Sequence, residues 1–312
     1  MFGKGISNPR LVLITGAGSG IGRATSLRFA KKGATILSTD INVESAEETV
    51  KLIEAKGGRA FSYKLDVTDN DAWQALAKQV ESEHGTPDVI VNNAGMGIGG
   101  GFLEHTKEDW DFQMAVNLDG VVNGCRAFAP LMVEKKHGQI VNISSGLAFI
   151  PFALTPSYCV SKTAVRMFSE CLRQELAPHK VGVTAICPGV AATKLLTSGK
   201  VVSKTGFDED VQDRAQAVVG RFVEKIGPYF ASPDYIARGI VRATKYNGGV
   251  IPVRPESWLG YWISRIAPGA VRLVSGQLTP SRANAVAGVG HKIAGDAVVD
   301  RVLNVAETVT GS

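Results

Sequence analysis

Short β-branched, apolar runs alternate along this chain with longer segments whose apolar positions recur every three or four residues. Residues 11–15, 34–40, 59–65, 89–92, 139–144, 182–187 and 250–253 read as strands. Helical periods lie between them, among them 21–32, ending at Gly33, and 43–55, closed by Gly57-Gly58. Such alternation implies a parallel sheet with helices on both faces. Right-handed crossovers then lead to an α/β, doubly wound, Rossmann-type sheet. One domain is expected over residues 1–253, followed by a C-terminal helical extension over 254–312. Residues 190–230 break the alternation with Gly, Lys, Ser and a Phe207-Asp208-Glu209-Asp210 cluster, and are expected to form a lid over the sheet's carboxyl edge.

Composition adds little beyond exclusions. The chain has 312 residues, 45% of them hydrophobic and 20% charged, the balance of an ordinary globular protein. A domain of this length buries roughly 75% of its unfolded surface, so its core needs no staples. The four cysteines, Cys125, Cys159, Cys171 and Cys187, show no paired metal-ligand spacing and lie in apolar stretches. Reduced core thiols are expected, with no metal site. The net charge is +5, but basic residues are mostly scattered among acidic ones, which speaks against a nucleic-acid partner. The first ten residues carry no signal-peptide run, and no stretch approaches the ~18 apolar residues of a membrane span. A cytoplasmic protein is expected.

The glycine turn narrows the picture. Gly16, Gly20 and Gly22 stand in Thr15-Gly16-Ala17-Gly18-Ser19-Gly20-Ile21-Gly22, directly after a predicted strand and before a predicted helix. Glycine there lets the backbone approach a pyrophosphate closely, and the helix amino terminus attracts the anion. Asp40 ends the second strand, where a carboxylate accepts hydrogen bonds from the adenosine ribose and repels a 2′-phosphate. Ser19, Ile41 and Asn42 offer no positive charge for such a phosphate, so NAD is favoured over NADP. The competing role for Asp40 is capping the next helix, which Asn42 could do instead. Asp66-Val67 follows the third strand, where Asp66 either meets the adenine amine or closes a turn. Asn93, Ala94 and Gly95 follow the fourth strand and allow close approach to the cofactor.

Tyr158 and Lys162 are four residues apart in a predicted helix and share a face. A free phenol titrates near 10; a neighbouring ammonium favours the phenolate and brings proton transfer toward neutral pH. Lys162 can also hold the nicotinamide ribose hydroxyls. Ser145 sits just beyond the fifth strand, at the carboxyl edge where such sheets bind ligands. Its hydroxyl can steady a substrate oxygen while charge develops there.

In this order and spacing, including the thirteen-residue step from Ser145 to Tyr158, these residues resemble the short-chain dehydrogenase/reductase family. The resemblance covers about residues 9–253 and also rests on Asn117 and on Pro188-Gly189 with Thr193. Glycines at 16, 20 and 22 fit its compact oxidoreductase branch. It implies Tyr158 as general acid/base, Lys162 as its activator and Asn117 as the holder of a relay water. It further implies that residues 186–193, with Pro188, Gly189, Val190 and Thr193, embrace the nicotinamide. A homodimer or homotetramer contacting through the helices of Asn117 and Tyr158 is the natural expectation.

The substrate is expected to be a hydrophobic alcohol or its carbonyl, met by Met96, Ile98, Leu147, Phe152 and Leu195, although Lys194 could attract an acid. Within the extension, Leu259, Trp262, Ile263 and Ile266 fall on one helical face over 257–267, with Arg254, Arg265, Arg272 and Arg282 nearby. Packing on a neighbouring subunit or over the pocket is favoured for this helix. Peripheral membrane contact through 257–274 is the alternative. The leading expectation is an NAD-dependent enzyme interconverting alcohols and carbonyls. Behind it stand an NADP-dependent carbonyl reductase and a non-catalytic dinucleotide sensor.

Overall fold

The computed structural model describes residues 5–189, 200–201 and 231–276. Seven strands form one parallel sheet: β1 (Leu11–Thr15), β2 (Thr35–Asp40), β3 (Ala60–Lys64), β4 (Val89–Asn92), β6 (Gly138–Ile143), β7 (Val181–Pro188) and β9 (Val250–Val253). Their order across the sheet is β3-β2-β1-β4-β6-β7-β9. The chain therefore runs outward from β1 in one direction and then from β4 in the other. That reversal opens a crevice beyond the carboxyl ends of β1 and β4, where such sheets take ligands. A small parallel pair, β5 (Ile98–Gly99) with β8 (Lys200–Val201), stands apart. Two-residue strands carry no periodicity, so neither is legible along the chain. The rest of the expected lid lies outside the described residues.

Successive strand residues point to opposite faces, and the core divides accordingly. Leu11, Leu13, Leu37, Ile90, Ile140 and Val183 pack against α3 (Asn70–His84), α5 (Gly120–Lys135) and α6 (Pro156–Leu176). Val12, Ile14, Ile36, Val91, Val141 and Ile186 pack against α1 (Gly20–Ala30), α2 (Val43–Glu54) and α7 (Pro233–Tyr246). Strands buried on both faces read as continuous apolar runs, which is why the predicted strands fall within one or two residues of the observed ones. At the opposite edge of the sheet, buried Asp88 accepts from the backbone N–H of Arg10 at 2.7 Å and from Lys135 Nζ at 3.1 Å. Burial opposes its ionisation, but those donors and His137 outweigh it and hold the carboxyl below the usual range.

Three sequence expectations change here. Cys171 is exposed on α6, whereas Cys125, Cys159 and Cys187 are the buried thiols expected. The extension helix starts earlier, as α8 (Pro255–Ile266), with proline in its first turn where no backbone donor is needed. Pro268 then opens a separate helix, α9 (Pro268–Ser275). α8 turns a narrow side to the protein. Its buried residues are Ser257 and Gly260, while the apolar stripe faces outward.

Candidate active site

The glycine turn sits at the carboxyl end of β1. Gly16 adopts a φ of +60°, a backbone state that side chains disfavour. A Cβ on Gly22 would lie 2.1 Å from the Gly16 carbonyl oxygen, so α1 starts in direct contact with the turn. Thr15 Oγ accepts from the N–H groups of Asn93 and Ala94, both at 2.9 Å, tying the ends of β1 and β4 together. The Asn93 amide donates to the Thr15 carbonyl at 2.8 Å. Asn93 therefore shapes the cradle as well as bordering it. Ser19 holds the position before α1 without a side-chain cap, leaving the helix amino terminus to an anion.

Asp40 closes on this turn. Its Oδ2 accepts from Gly18 N–H at 2.9 Å and its Oδ1 from Asn42 N–H at 3.1 Å. Capping of α2 falls to Asn42, whose side chain accepts from Ser45 N–H at 2.7 Å. Each carboxylate oxygen retains acceptor capacity for a hydroxyl. Arg23, a cation on the first turn of α1, is engaged by Thr49, the Ser45 carbonyl and Glu48. Asp66 is exposed and accepts from Thr68 N–H and Oγ at 2.9 and 2.8 Å, the geometry of a turn. Val67 is buried, and its carbonyl accepts from Trp73 Nε1 and Asn123 Nδ2.

Ser145, Tyr158 and Lys162 converge at the same edge. Ser145 caps a single 3-10 turn, Gly146–Ala148, accepting from Leu147 N–H at 3.2 Å. Its side chain also hydrogen-bonds Tyr158. Lys162 Nζ lies 5.8 Å from the centre of the Tyr158 ring and donates to the Ile143 carbonyl at 3.0 Å. Desolvation raises the Tyr158 phenol to about 12; the Ser145 bond opposes this, and the Cys159 and Cys187 thiols add to it. Desolvation likewise brings the Lys162 ammonium down to about 8. This departs from the sequence expectation, in which Lys162 lowers the phenol. The ammonium is turned to a carbonyl and is buried, while Tyr158 is half-buried.

Asn117 is buried in a five-residue π-helical turn, Ala115–Asp119, between α4 (Lys107–Met114) and α5. Such insertions often mark functional positions in helices. Its Oδ1 accepts from Met96 N–H at 2.8 Å, and its amide donates to the Met96 carbonyl at 2.9 Å and Ser161 Oγ at 3.1 Å. Ser161 in turn donates to the Tyr158 carbonyl at 2.8 Å, linking Asn117 to the tyrosine's turn. Sequence reasoning missed Ser161, because a serine on a helix carries no distinguishing signal. Gly95 is the meeting point: a Cβ there would lie 3.1 Å from Asn117 Oδ1 and 3.2 Å from Lys162 Nζ.

Of the expected pocket residues, Met96, Leu147 and Phe152 are half-buried beside this edge. Ile98 is buried in β5, its N–H bonded to Gln113 Oε1, so it packs inward. Val190, Thr193 and Leu195 lie outside the described residues. Gly189 N–H donates to the Val253 carbonyl at 3.0 Å, which holds the end of β7 against β9. The extension reaches this point too: Ser257 Oγ donates to the Cys187 carbonyl at 2.8 Å.

A parallel doubly wound sheet, a glycine turn at its switch point and a tyrosine–lysine–serine set on the same edge make up an arrangement of the dinucleotide-binding type. The chain belongs to the short chain dehydrogenase family, which it matches over residues 10–200. It is 46% identical over 274 residues to the probable oxidoreductase EphD of Mycobacterium tuberculosis. That match takes in 86% of this chain and 45% of EphD, so the chain spans under half the length of this curated relative. Among solved structures, a short chain dehydrogenase/reductase from Burkholderia phymatum in complex with NAD is 26% identical, with a TM-score of 0.73. The alignment covers 86% of this chain and 95% of that one. A metagenomic short-chain oxidoreductase in complex with NADP is 30% identical, with a TM-score of 0.64, over 79% and 97% of the two chains.

Proposed function

We propose that the chain is an NAD-dependent oxidoreductase that interconverts a hydrophobic alcohol with its ketone or aldehyde. The observation that carries this reading is the meeting of Tyr158 with Ser145 and with Lys162, whose ammonium lies beside Gly95, on the edge where the glycine turn opens. NAD bound along that turn would supply the hydride acceptor, C4 of its nicotinamide. Tyr158 Oη takes the substrate's hydroxyl proton during oxidation and returns it during reduction. Ser145 Oγ donates a hydrogen bond to the substrate oxygen, which strengthens as negative charge develops there. Lys162, once turned from the Ile143 carbonyl, brings its ammonium to the phenolate and to the ribose hydroxyls. Both amide hydrogens of Asn117 are taken by Met96 and Ser161, so its relay-water role falls to its oxygen atoms. Asp66 adds an acceptor for the adenine amine through lone pairs that Thr68 does not use. Exposed Phe112, Val160 and Met167 on α4 and α6 support the dimer or tetramer expected for the family.

The carboxylate of Asp40, held at Gly18, favours NAD over NADP. Asp40→Arg and Asp40→Asn, assayed with both cofactors on steroid, retinoid, aliphatic and sugar alcohols, test this. Loss of a charged hydrogen-bond acceptor should weaken NAD use about tenfold or more in either variant. Asp40→Arg alone should reverse the NAD/NADP preference, with the apolar alcohols turned over best. A parallel loss with both cofactors would make Asp40 only a brace for the turn and remove the NAD assignment.

A further inference from the structure

Helix α8 is built inside out. Its protein-facing side carries Ser257 and Gly260, with Tyr261 edge-on to Phe149 at 5.3 Å between ring centres. A Cβ on Gly260 would come within 2.9 Å of Ile150, so the helix lies tight against the segment that follows Ser145. The opposite side shows Trp258 at 41%, Leu259 at 60%, Trp262 at 52% and Ile266 at 76% exposure. At 3.6 residues per turn these four fall within an arc of about 100°, with no polar residue among them. Leu273, on α9, is likewise exposed. Monomeric soluble proteins rarely leave such a contiguous patch uncovered.

Charge indicates what covers it. Arg265 borders the arc and lies over the Tyr261 ring at 3.8 Å, and Arg272 is exposed on α9. The one acid on either helix, Glu256, is paired with Arg254 at 2.9 Å. A two-fold contact with a second copy would set this arginine-edged face against itself, with no unpaired acid on either helix to meet the arginines. An anionic lipid surface supplies the missing charge, and tryptophans beside arginines suit the headgroup boundary. Among the described residues no helix is long and apolar enough to cross a membrane, so the contact is one of lying on the surface. The match to EphD spans enough of this chain to run through α8 whichever end it begins from.

We propose that the outer face of α8, extended by α9, docks this protein onto anionic lipid surfaces. The narrow inner face meanwhile braces the loop after Ser145. The docking does not depend on which alcohol or cofactor the site takes.

Flotation of the full chain with phosphatidylcholine vesicles, with and without phosphatidylglycerol, tests the proposal. Binding is expected to the phosphatidylglycerol vesicles and to weaken with salt. Trp258→Ser combined with Trp262→Ser should lower partitioning about tenfold or more. Arg265→Gln with Arg272→Gln should remove the preference for phosphatidylglycerol. Quenching of wild-type tryptophan emission by brominated acyl chains needs no variant and should accompany binding. Absence of flotation and quenching, or equal flotation of wild type and the tryptophan variant, overturns the proposal. So does a wild-type dimer that the tryptophan variant splits while flotation is unchanged, which would assign the face to a second copy.

Discussion

Tyr158→Phe is expected to lower turnover of the best alcohol substrate by about 10²- to 10⁴-fold, the range that one positioned acid/base contributes. NAD affinity should change little. The substitution removes only the hydroxyl, so the ring keeps its place beside Lys162 and its turn keeps the Ser161 bond. The phenol stands at about 12 because partial burial disfavours its charged form and Ser145 compensates only in part. A protonated tyrosine is ready to donate at neutral pH, whereas accepting a proton requires the ammonium to move in. Alcohol oxidation should therefore rise steeply as pH climbs through the alkaline range, and carbonyl reduction should fall. Initial rates in both directions across pH check this, and an unaltered rate in Tyr158→Phe would remove the tyrosine from the chemistry.

Lys162→Met should slow turnover by orders of magnitude and yet, without cofactor, cost no stability. The lysine is buried and titrates at about 8 in place of its ordinary 10.5, because burial disfavours its charge. Each pKa unit is about 1.4 kcal/mol, so at neutral pH the folded state carries a penalty on the order of 3 kcal/mol for this ammonium. Methionine has similar bulk and no charge. It forfeits the charged hydrogen bond to the Ile143 carbonyl, about 1.5–3 kcal/mol, so a net gain of about 0–1.5 kcal/mol remains. That corresponds to a melting temperature at most a few degrees higher. The sign follows from the depressed value. Below about 8 both folded and unfolded chains hold the proton and the penalty is complete. Between about 8 and 10.5 the folded chain releases it first, so wild-type stability rises with pH and the advantage of Lys162→Met shrinks. Turnover should fall about 10²–10³-fold, as when one preorganised donor is removed. Thermal melts from pH 7 to about 10, run beside activity, check both halves. The wild-type core tolerates the cost because each fully buried large side chain, Trp73 and Phe128 among them, contributes about 1.5–3 kcal/mol.

The strands, the glycine turn and the tyrosine–lysine pair were legible because each has a local cause. A strand buried on both faces is an apolar run, and residues four apart in a helix share a side. Asn117 was legible only through resemblance, since its inward turn comes from the extra residue of a π-helical segment. Thr15, Ser161 and Ser257 act through partners remote in sequence, and small hydroxyl residues advertise nothing. The stripe on α8 was visible, but amphipathicity does not say which face meets the protein. Here packing against Ile150 and Phe149 required Gly260, Ser257 bonded the Cys187 carbonyl, and the tryptophans were left facing outward. The charge balance of Tyr158 and Lys162 failed to follow from their spacing because spacing contains no information on desolvation or on the Ile143 carbonyl.

The most direct test of hydride transfer at this site uses an alcohol deuterated at the carbinol carbon, mixed with the full chain and NAD. The expected result is slower NADH formation than with the protiated alcohol, deuterium recovered at C4 of the reduced nicotinamide, and loss of both in Tyr158→Phe. Reduced cofactor without deuterium, or product formed with no NADH at all, would contradict the assignment.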